Sequence, residues 1–223
     1  MPVKYLTPDY SQTLRWNDIL TSMYLLLYLS FLYYNNLILS IGHSDSLYNI
    51  LGLAALEFIK YSFHVSRTKT SFYKHHAKDF IKNVLVLLLL FATIYVVAVL
   101  FGAPILSDFE ETCMFSLIVT TFTALPLCLY FGGDNTVHMF LSLASYDGSD
   151  VQKLFMLKLR LTLFGAWLGA IVIPLDWNRP WQDWPIPCSV GAMVGYMVAN
   201  FVTSLLQHQY FAKFIRKTGK YML

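Results

Sequence analysis

Two long apolar stretches meet at a tryptophan-rich elbow, in the sentence FGAWLGAIVIPLDWNRPWQDWPIPCSVGAMVGYMVANF. The elbow holds three of the chain's five tryptophans, Trp177, Trp181 and Trp184, beside Asp176, Arg179 and Asp183. Indole rings next to long apolar runs favour the membrane–water boundary, where the ring is buried and its N–H stays wet. The flanks read GxxxG at Gly165–Gly169 and again at Gly191–Gly195, with Ala199 four residues on. Small residues at this spacing let membrane helices approach backbone to backbone. The pattern predicts a helical hairpin with an aromatic turn, its glycines packed against each other or against a partner.

Composition supports a membrane protein. Apolar residues make up 57% of the chain and charged residues 13%, a balance unlike that of a soluble domain. At 223 residues there is room for several spans and no second domain, so residues 1–223 read as one unit. The segment Met1–Arg15 is polar, and the first apolar run is too long for a signal-peptide core, so the first span is expected to double as the targeting signal. The predicted fold is an all-α membrane protein, a bundle of six transmembrane helices. The spans fall at about 19–40, 47–65, 84–104, 113–131, 154–175 and 186–206, each near the ~20 residues a helix needs to cross a bilayer core.

Fourteen Lys and Arg residues fall on one side of this scheme, from Lys4 and Arg15 through Arg67, Lys69, Lys74, Lys78 and Lys82 to the C-terminal tail. The opposite loops hold only Arg179. The bias predicts that both termini are cytoplasmic and that the elbow is lumenal or external. The run RTKTSFYKHHAKDFIK is then a positive-inside anchor, which argues against nucleic acid as a partner and leaves membrane lipids as its neighbours.

Candidate sites are few. Glu57, Lys60 and His64 share one face of the second span. Charges at mid-span are costly, so they face protein or a wet cavity. One reading is a polar groove for a lipid headgroup or a partner helix. The other pairs Glu57 with Lys60 and lets Lys60 and His64 snorkel. Lys158 and Arg160 open the fifth span and are also expected to snorkel. The acidic cluster Asp108, Glu110 and Glu111 lies on the elbow's side with Asp176 and Asp183. Such acids could hold a hard cation or serve as acid and base. They are better satisfied by Arg179 and by the positive N-terminal end of the fourth span. No Ser-His-Asp set, phosphate-cradling loop or nucleotide motif is present, and no metal site or cofactor is expected. Cys113, Cys128 and Cys188 lack zinc spacing. Cys113 and Cys188 could reach each other, or each could be a small buried apolar residue.

The stretches FGAPILSDFEET (Phe101–Thr112), GAWLGAIVIPLDWNRPWQDWPIPC (Gly165–Cys188) and GAMVGY (Gly191–Tyr196) resemble the PIG-F family, phosphatidylinositol-glycan biosynthesis class F. The long IPLDWxRxWQxWPIxC pattern is the specific part. The resemblance implies a multi-pass endoplasmic-reticulum membrane protein of GPI-anchor synthesis. It implies a small non-catalytic partner that stabilises the large ethanolamine-phosphate transferases, PIG-O-like and PIG-G-like, which modify mannoses of the GPI precursor. The expected partner interface is Gly165, Gly169, Gly191 and Gly195 with Asp176, Trp177, Arg179, Trp181 and Trp184. Two alternatives remain: a lipid-handling protein, and a catalytic participant whose carboxylates complete a transferase site.

Overall fold

The apolar run of Val84–Leu100 folds as expected, as the body of α3, Ala77–Leu100. The structure, a computed structural model, describes residues 8–43, 46–68, 77–105 and 107–219. The other helices are α1 (Pro8–Tyr34), α2 (Leu47–Thr68), α4 (Phe109–Phe122), α5 (Ala124–Phe131), α6 (Gly133–Leu141), α7 (Asp150–Ala170) and α8 (Ile186–Gly219).

The six-span reading is not met. Among the described residues, three helical stretches are long and apolar enough to cross a membrane: Asp79–Leu100, Phe109–Phe131 and Ile186–His208. The other expected spans fall short for identifiable reasons. α1 is diluted by Asn17, Asp18 and its tyrosines, α2 carries Glu57, Lys60 and His64, and α7 carries Lys153, Lys158 and Arg160. Placing both termini in the cytoplasm required an even number of crossings, so that inference fails with the span count. It also counted Lys158 as a loop charge, whereas that side chain is buried in the bundle. Lys4, Lys69, Lys74 and Lys220 lie outside the described residues, as does residues 69–76 of the basic run.

The fourth expected span is two helices. Thr123 closes α4 and opens α5 with φ −111° and ψ −66°. Pro126 explains the break, because its ring collides with the carbonyl four residues earlier and it has no N–H to donate. α5 ends at Gly132, whose φ of +79° is open to glycine at little cost. α6 then lies beside α3, where Asn83 Oδ1 accepts from the Gly133 N–H at 2.8 Å. α7 starts on a capping box: Gln152 Oε1 accepts from the Ser149 N–H, and Ser149 Oγ accepts from the Gln152 N–H.

α8 is the axis. Its most extensive contact is with α7, and the next is with α1. The core divides into three apolar clusters. Tyr61, Leu127, Tyr130, Phe155 and Leu159 fill the end near α6. Leu25, Leu53, Ile118, Phe122 and Tyr196 fill the middle. Phe115, Val119, Ala166, Cys188 and Ala192 fill the end near the elbow.

Candidate functional site

The elbow rests on a glycine seam. A Cβ added to Gly165 would strike the carbonyl oxygen of Gly191, and one added to Gly191 would strike the carbonyl oxygen of Gly165. Gly195 faces the Leu161 carbonyl in the same way, and Gly169 faces that of Pro187. Every one of these obstacles is backbone. α7 and α8 therefore touch where no side chain fits, and the four glycines face each other within the chain.

Above the seam the chain turns through a 3-10 segment, Pro180–Gln182. Gln182 holds this turn and is nearly buried, at 6% exposure. Its Nε2 donates to the carbonyls of Val172 (2.8 Å) and Leu175 (2.7 Å). Its Oε1 accepts from the Arg179 N–H at 3.0 Å. One amide thus ties the frayed end of α7 to the elbow and satisfies backbone groups that leave the helical ladder there. Sequence reading passed over Gln182. The signal was a single amide amid proline, tryptophan and acid residues.

The three elbow tryptophans separate into two kinds. Trp184 is an internal anchor. Its Nε1 donates to Thr112 Oγ1 at 3.1 Å, and its ring lies 5.0 Å from that of Phe115 on α4. Trp177 and Trp181 are outward, 54% and 39% exposed, with ring centroids 6.0 Å apart. Asp176, Arg179 and Asp183 are exposed around them. Among the described residues, no ion pair joins Asp176 to Arg179. Further along α7, Phe164 and Trp167 stack on the exposed surface at 5.9 Å.

The acidic cluster belongs to the same end. Asp108 sits at the N-cap of α4 without a side-chain cap, and Glu110 and Glu111 fall in its first turn. There their charge suits the helix's positive end. Glu111 Oε1 lies 3.6 Å from His43 Nδ1, on the loop between α1 and α2. That loop is pinned by Gly42, at φ +111°, where any Cβ would meet the Pro185 ring. Among the described residues, no three His, Cys, Asp or Glu side chains gather where they could hold a metal ion. Cys113, Cys128 and Cys188 are free thiols.

Of the charges expected to snorkel, Lys60, His64 and Lys158 turn inward and Arg160 does not. Lys60 Nζ donates to Glu57 Oε1 at 2.7 Å and to Thr21 Oγ1 at 2.6 Å. Glu57 Oε1 also accepts from the hydroxyls of Tyr24 (2.9 Å) and Tyr196 (3.1 Å). His64 is buried, its ring edge-to-face with Tyr10 at 4.4 Å, and among the described residues neither ring nitrogen has a hydrogen-bond partner. Lys158 is buried and pairs with Asp18 Oδ1, while Arg160 stays exposed and donates to the Leu143 carbonyl. Burial without pairing would be prohibitive, so the bundle interior supplies a partner of opposite sign for each lysine. Asp18 went unnoticed because it lies one residue before the first apolar run.

This is a membrane helix bundle whose buried lysines are paired inside it, with one exposed aromatic and charged turn. A family model described as "GPI biosynthesis protein family Pig-F" matches residues 3–204. The chain belongs to the PIG-F family, and so to the multi-pass membrane proteins of GPI-anchor biosynthesis. It is 41% identical over 143 residues to "GPI ethanolamine phosphate transferase, stabilizing subunit" of Homo sapiens, covering 62% of this chain and 63% of that protein. The protein of the same description in Mus musculus is 43% identical over 117 residues, 51% of each chain. A "PIGF/3-ketodihydrosphingosine reductase fusion protein" of Schizosaccharomyces pombe is 42% identical over 113 residues, covering 50% of this chain and 22% of that one. The matched stretch thus spans less than two thirds of each of these relatives. No solved structure matches the chain.

Proposed function

We propose that this chain is a non-catalytic, stabilising membrane subunit of the ethanolamine-phosphate transferases that act on mannoses of the GPI precursor in the endoplasmic reticulum. Its partners are the large transferase subunits of the PIG-O and PIG-G kind. The family match and the relatives described as stabilizing subunits support the reading. The observation that carries it is the elbow. Two exposed indoles and the exposed Arg179 stand on a turn clamped by Gln182 and Trp184. Tryptophan and arginine dominate interface energetics when a partner buries them, and a pre-ordered turn lowers the cost of docking. The glycine seam supports this surface from within the chain.

The test is co-purification. Trp181→Ala with Arg179→Ala should lower the amount of transferase recovered with this chain, while surviving complex keeps near-normal turnover. Full assembly with loss of ethanolamine-phosphate transfer would overturn the stabilising role and favour catalytic participation. A lipid role has one observation of its own, a shallow open depression on the surface of α1 lined by Leu27, Leu29, Ser30, Phe31, Tyr33 and Tyr34. Its walls suit acyl chains more than a headgroup.

A further inference from the structure

The two buried ion pairs differ in how far apart their members lie along the chain. Glu57 and Lys60 are three residues apart on α2, so that pair forms as soon as the helix does. Asp18 and Lys158 are 140 residues apart. The Asp18 carboxylate has its partners on α7 and α8: Oδ1 faces Lys158 Nζ, and Oδ2 accepts from Thr203 Oγ1 and Gln207 Nε2, each at 2.8 Å. Asp18 is 3% exposed and Lys158 is 5% exposed. Neither charge can be tolerated in an apolar interior until α1 is seated against the α7–α8 pair.

We propose that the Asp18–Lys158 pair is an assembly lock. It makes docking of α1 onto α7–α8 a charge-specific step and fixes the axial register of α1. The contrast between the interfaces supports this. α7 and α8 meet through interlocking glycine backbones, which admit one register by shape. The α1 face carries few such constraints near Asp18, and its hydrogen bonds to α8 come from side chains, including Ser22 Oγ to the Met197 carbonyl at 3.1 Å. A buried polar group that selects register is a known use of such pairs.

The test uses the full chain. Asp18→Asn and Lys158→Met, each alone, leave one charge buried without its partner, and each should lower recovered monodisperse protein by about tenfold or more. Asp18→Asn with Lys158→Met removes both charges and should restore recovery to within about twofold of the parent. Register is read separately, by oxidative cross-linking of Ser22→Cys to Met197→Cys with the native cysteines replaced by alanine. The parent should cross-link efficiently, and the doubly neutral protein, though recovered, should cross-link several-fold less. Three results would overturn the lock: singles that are recovered normally, a double variant as poorly recovered as the singles, or a recovered double variant that cross-links as well as the parent.

Discussion

Replacing Gly165 by alanine adds one methyl group at a place where nothing can rotate away. The new Cβ would meet the Gly191 carbonyl oxygen, with the Gly195 Cα at 2.9 Å and the Gly191 carbonyl carbon at 3.1 Å. To accept it, α7 and α8 must separate, and forced overpacking of this kind costs about 1–3 kcal/mol. Helix propensity acts the other way, since alanine is favoured over glycine by about 1 kcal/mol in a helix interior. Gly52 on α2 separates the two effects. It also lies within a helix, and a Cβ there meets nothing within 4 Å. The propensity gain is common to both substitutions, so the difference between Gly165→Ala and Gly52→Ala isolates the steric cost. At roughly 2–4 °C per kcal/mol for a chain of this size, the Gly165 variant should melt about 2–12 °C below the Gly52 variant. Thermal unfolding in a single detergent, followed by size-exclusion chromatography after heating, measures this. Equal melting temperatures would refute the seam as a close backbone contact. Gly191→Ala should resemble Gly165→Ala, and the two together should be less than additive, because they disturb one contact.

Gln182→Ala should loosen the elbow while leaving α8 intact. It removes three hydrogen bonds to backbone groups, each worth about 0.5–1.5 kcal/mol net. Amide exchange across residues 171–183 should then rise at least roughly tenfold, measured by hydrogen–deuterium exchange, and unchanged protection would sink the idea. Glu111→Gln weakens only a surface contact to His43, worth about 0–1 kcal/mol. It should leave ethanolamine-phosphate transfer by the proposed complex largely intact at matched expression; lost transfer with that complex present would assign Glu111 a part in the chemistry.

How much of this was legible depended on whether the deciding partner was local. The small-residue spacing could be read directly, because GxxxG on two adjacent helices is a repeating local signal, but whether those glycines meet each other or a partner could not. α3 could be read too, since its apolar run is unbroken. The failed spans share a different cause. Hydropathy weighs each residue within its own window and carries no record of the distant partner that decides where a charge goes. Lys158 and Arg160 lie two residues apart, yet one is buried and the other exposed. Their fates are set by Asp18 and by the Leu143 carbonyl, neither of which a window around them contains. The same holds at the elbow. Trp177, Trp181 and Trp184 are chemically identical, and Thr112 and Phe115, about seventy residues earlier, make Trp184 the internal one.

α8 joins these observations, because it presents different chemistry to its two main neighbours. Toward α7 it offers Gly191 and Gly195, a dry surface on which shape alone sets the fit. Toward α1 it offers Tyr196, Thr203 and Gln207, whose side chains hydrogen-bond to charges on α2 and α1. A seam of backbone against backbone has almost no lateral freedom, so it gives the elbow a rigid base. A polar seam is specific but depends on every partner being in place. The end of the bundle that carries Trp177, Trp181 and Arg179 is therefore built on the contact least able to move, while the charge-dependent contact lies toward the other end, near α6. A docking surface gains affinity from rigidity. A docking role for the elbow thus requires the glycine seam and does not require the Asp18 pair once the chain is folded. A folded, doubly neutral Asp18 and Lys158 variant should still recover the proposed transferase partner, whereas Gly165→Leu should lose it even where some folded chain remains.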